Sequence, residues 1–94
     1  MPRYFFHVRN STGYMLDEEG EELADFEAAR DAAVNAVRSI ISEESKIGRI
    51  DLRGRIEVSE EEGGEVILTL PFSEALDIRT GPPPEGDTKP GVTR

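Results

Sequence analysis

A chain of 94 residues, 36% hydrophobic and 33% charged, has room for one small core and not for two, which bounds it to a single globular domain. Eleven basic against twenty acidic residues give a formal net charge of -9, which opposes broad attachment to nucleic acid or to an anionic membrane surface. Cysteine is absent, so disulfides, thiolate chemistry and cysteine zinc sites are excluded, and no apolar run approaches the ~18 residues of a membrane span.

The opening MPRYFFHVRN has no extended apolar stretch and meets charge at Arg3 and Arg9, so it does not resemble a secretory signal, and a cytoplasmic location is expected. RYFFHVRN is aromatic and β-branched over a strand-sized length. Alternation puts Tyr4, Phe6 and Val8 on one face and Arg3, Phe5, His7 and Arg9 on the other. NSTG then supplies a turn, and YMLD returns as a short second strand before the acidic stretch DEEGEE, in which Gly20 suits a positive φ.

From Asp25 the period changes. Phe26, Ala29, Ala33, Val37 and Ile40 recur at helical spacing, with Ala36 and Ile41 widening the stripe, which predicts one amphipathic helix ending near Ser42 to Ser45. Asp25 is placed to cap its first-turn amides. After the connector SKIGRIDLRGR, the segments RIEVS and EVILTLPF read as a hairpin joined by EEEGG. Ile56, Val58, Val66, Leu68, Leu70 and Phe72 would lie on its buried face, and Pro71 would stand at the end of the ladder or on an edge. A short turn at SEAL precedes GPPPEGDTKPGVTR, which has almost nothing to bury and is expected to be disordered from about Asp77.

LDEEGEELADFEAAR is the stretch that most resembles a site. A calcium loop counted from Asp17 needs glycine at its sixth position and glutamate at its twelfth, yet glycine arrives at the fourth and the twelfth is Ala28. Adjacent turn carboxylates are also splayed and solvated, unlike a catalytic acid pair held across a cleft. Gly20 is therefore read as the turn, Asp25 as the cap, and the other acids as solvated charge.

His7 is the only histidine, without a spacing-defined nucleophile or metal partner, and is read as a strand residue on the face away from the helix. Arg49, Arg53 and Arg55 cluster around Gly48 and Gly54, but the glycines precede a strand rather than a helix, so pairing with the abundant acids is preferred to a phosphate loop. The serines sit in no G-x-S-x-G elbow.

MPRYFFHVRN, DEEGEELADFEAARDAA, GRIEV and ILTLPFSEAL, in that order and spacing, resemble a family of short bacterial proteins known only as a domain of unknown function; the likeness covers roughly residues 2 to 76. It implies a compact domain and brings no activity, cofactor or catalytic residue. GYMLDEEG and FEAARDAAVNAV also resemble the antitoxin half of bacterial toxin–antitoxin pairs with a truncated ribonuclease-H-like fold. There, however, a PDLPG link is usual and absent here, two further strands follow the helix here, and the tail is too polar for a helix-turn-helix.

The predicted architecture is α+β, ββαββ, with an antiparallel four-stranded sheet, one helix on one face, a folded unit over 1–76 and a tail over 77–94. The expected function is non-enzymatic, without cofactor or metal: a protein-interaction or homo-oligomerising module, or alternatively an antitoxin-like regulator that binds a toxin or nucleic acid. The candidate interface is the sheet face away from the helix, with Arg3, Phe5, His7 and Arg9 joined by Ile67 and Thr69 from the last strand. The expected partner is a second copy or another protein; nucleic acid and membrane are disfavoured.

Overall fold

A computed structural model describes residues 1–61 and 64–82. Residues 62 and 63 of the expected hairpin link, and 83–94 of the expected tail, lie outside the described residues. The elements are β1 (Arg3–Asn10), β2 (Gly13–Met15), β3 (Glu21–Glu22), α1 (Phe26–Lys46), β4 (Arg55–Ser59) and β5 (Val66–Pro71), followed by a single 3₁₀ turn at Phe72–Ala75. All strand pairings are antiparallel. The sheet runs β2-β1-β4-β5, and β3 pairs with the start of β1 on the edge that β2 occupies at its end. The fold is thus the predicted α+β arrangement with a fifth strand, β3, added; two residues are too short to display a period of two.

One helix covers one sheet face. Ala29, Ala33, Val37 and Ile41 are buried against Tyr4, Ile56, Val58, Leu70 and Phe72, and the small alanines let the helix backbone come close to the sheet. The Asp25 carboxylate accepts from the Ala28 amide at 2.9 Å, so the cap is where the sequence places it. The helix outruns the expected end by a turn fraction and stops at Lys46, because no breaker intervenes before Gly48, whose φ of 80° closes the C-terminus.

Two side chains depart from the expected core. Phe26 is 42% exposed: it is the first helical residue, one turn ahead of Ala29, where the helix reaches the sheet. Val66 is 42% exposed because the β4–β5 register slips. Val58 pairs with Leu68 but Ser59 pairs with Val66, so Ile67 is an extra residue that reverses the alternation for everything before it. Leu68, Leu70 and Phe72 remain on the helix side, and Pro71 closes the ladder opposite Arg55.

Candidate functional site

The sheet face away from the helix carries Arg3, Phe5, His7 and Arg9 from β1, Arg55, Glu57 and Ser59 from β4, and Thr69 from β5, as the pairings Phe5–Ser59, His7–Glu57, Arg9–Arg55 and Glu57–Thr69 require. The expected exposed aromatic surface is not there. Phe5 is 7% and His7 2% exposed, because the acidic stretch folds back across this half of the face.

Asp17 fastens that cover. On the edge away from β4, β1 has a partner at its end through β2 and at its start through β3 but none between them among the described residues, and there the Asp17 carboxylate takes the place of a strand: Oδ2 accepts from the Phe6 amide at 3.0 Å. Oδ1 accepts from the Glu19 and Gly20 amides at 3.2 Å each, which forms the turn. Burial works to raise the Asp17 pKa, but the amide hydrogen bonds from Phe6, Gly20 and Glu19 and the proximity of His7 outweigh it, leaving the carboxyl below its ordinary value. Gly20 has φ 70°, and a Cβ there would stand 2.9 Å from the Phe5 ring and 2.8 Å from Cγ of Arg3. Arg3 closes the far side by donating to the Glu19 carbonyl at 2.8 Å and pairing with Glu22 at 3.1 Å.

His7 is wholly engaged in this packing. The Ser59 hydroxyl donates to the Glu61 carbonyl at 2.8 Å, so its oxygen accepts from Nε2–H of His7 at 3.1 Å; the Asp17 amide donates to Nδ1 at 3.0 Å. The pattern assigns the ring proton to Nε2. Phe5 stacks on the imidazole with centroids 6.5 Å apart, and Tyr14 lies against its other side at 6.1 Å. Tyr14 in turn lies 4.1 Å from the Arg9 guanidinium, a cation–π contact.

The remainder of the face is open. Ile67 is 41% exposed, and Val66 and Thr69 are exposed beside it on β5, the edge strand. At the end of the sheet Arg9 and Arg55 stand directly opposite each other, and Glu57, with its side chain only 12% exposed, offsets their repulsion: its Oε2 is 3.5 Å from Nε of Arg9 and 2.8 Å from Nε of Arg55. Arg53 engages Asp51 side-on at 2.9 and 3.0 Å. Hydrogen bonds from Arg53 and from the Ser11 hydroxyl hold the Asp51 carboxyl far below its usual range. Two of the three arginines around Gly48 and Gly54 therefore pair with acids, as expected, whereas Arg49 has no ion pair among the described residues. Gly54 is needed for close approach: a Cβ would stand 2.7 Å from the Phe72 ring and 2.9 Å from the Arg9 carbonyl.

Sequence reasoning missed three of these residues. Asp17 had a signal in the Asp-x-x-Gly spacing of an Asx turn; Tyr14 follows from a two-residue turn after Asn10, which sets it opposite Arg9. Glu57 follows from alternation once Arg55 is placed on the open face. No cluster of three or more acids or histidines among the described residues is arranged to hold a metal ion, and no described helix is long and apolar enough to cross a membrane. No curated protein and no solved structure showed a match to the chain. The family model for the domain of unknown function DUF6894 matches residues 3–73, most of the chain and nearly all of the fold, and the protein belongs to that family.

Proposed function

We propose that the domain is a non-enzymatic interaction module that pairs with a second copy of itself through the free edge of β5. The contrast between the two edges of the sheet carries this reading. One edge is divided between three-residue β2 and two-residue β3 and carries Glu21 and Glu22, devices that blunt pairing. The other is VILTLP, six residues without a charged side chain, and the exposed Val66, Ile67 and Thr69 add apolar area next to a backbone edge that pairs with no other strand among the described residues. An antiparallel strand laid on itself about a two-fold axis satisfies its own hydrogen bonds, so one edge suffices for both partners.

The reading assigns no chemistry to His7 or Asp17, since both imidazole nitrogens and both carboxylate oxygens are engaged in holding the fold. It moves the interface from Phe5 and His7 to Ile67 and Thr69, with Arg9 at its margin. A six-residue edge buries less than the ~1,600 Å² of a standard interface, so a reversible dimer in the micromolar range is expected. Repulsion between two chains of net charge -9 predicts tighter association as salt is raised.

Light scattering across a concentration series tests this. The wild type should approach twice the 10.4 kDa chain mass, and Ile67→Lys should hold it at 10.4 kDa. Lysine lowers the net negative charge, so a loss of dimer cannot be ascribed to greater repulsion. A wild type monomeric at several hundred micromolar in high salt would overturn the proposal.

A further inference from the structure

At the end of the sheet remote from the acidic turn, a cavity of about 260 Å³ is lined by Arg9, Asn10, Ser11, Arg53 and Arg55. Three arginines line it on a protein whose acids outnumber its bases almost two to one, and no carboxylate is among the lining residues. The acids nearby are engaged by the arginines, and Asp51 and Glu44 line the adjoining cavity rather than this one. Glu57 engages Arg9 and Arg55 only through their Nε atoms, and Asp51 takes Nε and Nη2 of Arg53. Both Nη atoms of Arg9 and Arg55, and Nη1 of Arg53, have no partner among the described residues.

The other lining groups are set the same way. Asn10 Oδ1 accepts from the Thr12 amide and hydroxyl and from the Gly13 amide, at 2.9, 2.7 and 3.1 Å, which fixes the side-chain amide so that its NH₂ end is the unengaged one. The Ser11 hydroxyl donates its one proton to Asp51 and so offers the cavity no donor, while the Arg9 plane is held against Tyr14. The cavity thus combines pre-positioned forked donors with an amide donor, the chemistry that recognises a tetrahedral oxyanion. The remaining charge of the molecule is screened over a Debye length of about 8 Å at physiological salt, so the -9 total does not abolish a local site.

We propose that the cavity bounded by Arg9, Asn10, Ser11, Arg53 and Arg55 is a phosphoryl-binding site that takes inorganic phosphate or the phosphate of a small phosphomonoester. Glu57 and Asp51 are its positioning residues: they hold the guanidinium groups by one edge and leave the other for the ligand. This site is independent of the β5 edge, and Ile67→Lys should leave it intact.

The test is a titration of the ¹⁵N-labelled full chain with sodium phosphate and, separately, with O-phosphoserine at constant ionic strength, following backbone and arginine side-chain resonances. Saturable shifts confined to Asn10, Ser11 and 53–55, with an apparent Kd of millimolar or tighter, are expected. Arg55→Gln should weaken binding at least tenfold, and so should Arg53→Gln, whose exposed side chain makes it safe for folding; Arg30→Gln on the helix should change nothing. Tighter binding of O-phosphoserine identifies a phosphomonoester as the ligand, and equal or tighter binding of phosphate identifies the free oxyanion. Shifts that fail to saturate, or that survive Arg53→Gln and Arg55→Gln unchanged, overturn the proposal.

Discussion

Removing the Asp17 carboxylate, by Asp17→Ala, should loosen the cover over Phe5 and His7 by an amount that the geometry bounds. The Phe6 amide is part-buried and has no other acceptor among the described residues, and leaving it unpaired costs about 1–3 kcal/mol. The Glu19 amide is exposed, so water can replace the carboxylate there and it adds only tenths, whereas the Gly20 amide is part-buried and adds up to about 1 kcal/mol. A total of about 2–4 kcal/mol corresponds to a fall in Tm of about 8–32 °C for a domain of this size. Asp17→Asn retains one acceptor oxygen and should fall between wild type and Asp17→Ala. Glu18→Gln, in the same stretch but without a partner among the described residues, should stay within about 0.5 kcal/mol. The pH dependence has a definite sign. The folded-state pKa of Asp17 lies below its unfolded value of 3.8, so its contribution is complete above that value and is lost as pH falls through the folded pKa. Urea unfolding followed by far-ultraviolet circular dichroism should therefore show a constant gap between wild type and Asp17→Ala above about pH 5, narrowing below about pH 3.8. A gap under about 0.5 kcal/mol at pH 7, or one that widens in acid, would refute the role given to Asp17.

Three further outcomes follow from the packing. Gly20→Ala meets Phe5 and Arg3 and a positive φ at once, and Gly54→Ala meets the Phe72 ring and the rigid Arg9 carbonyl; each should lower stability by about 1–3 kcal/mol in thermal unfolding, whereas Gly48→Ala, with open space around it, should show only the smaller strain of its φ. His7→Phe keeps the stack on Phe5 but strands the Asp17 amide, with an expected loss of about 1–3 kcal/mol by chemical denaturation. Ile56→Ala should cost about 2–5 kcal/mol by the same measure, and Val66→Ala, displaced from the core by the register slip, within about 0.5 kcal/mol.

Much of the helix-side architecture was legible in the residues. The stripe through Ala29, Ala33 and Val37 and the alternation through Tyr4, Phe6, Val8, Ile56 and Val58 each repeat often enough to fix a period and a face, and Asp25 and Gly20 announce a cap and a turn through chemistry that few other residues share. The family, too, was readable from the ordered motifs. The opposite face was harder. Its burial depends on how far the acidic stretch folds back, a tertiary outcome decided by one carboxylate reaching across eleven positions to the Phe6 amide, and hydropathy treats that carboxylate as one more solvated acid. Val66 was misplaced because a bulge leaves no mark in an uninterrupted apolar run. Phe26 was misplaced because helical spacing says nothing about where along its length a helix meets the sheet.

The β5 edge is tested most directly by amide hydrogen exchange read residue by residue along Val66–Pro71 at two protein concentrations at least tenfold apart. Self-pairing predicts that the outward-facing β5 amides slow as concentration rises, while the β1 amides, already enclosed between neighbours, do not change. Outward β5 amides that exchange at the same fast rate at both concentrations would contradict the proposed pairing.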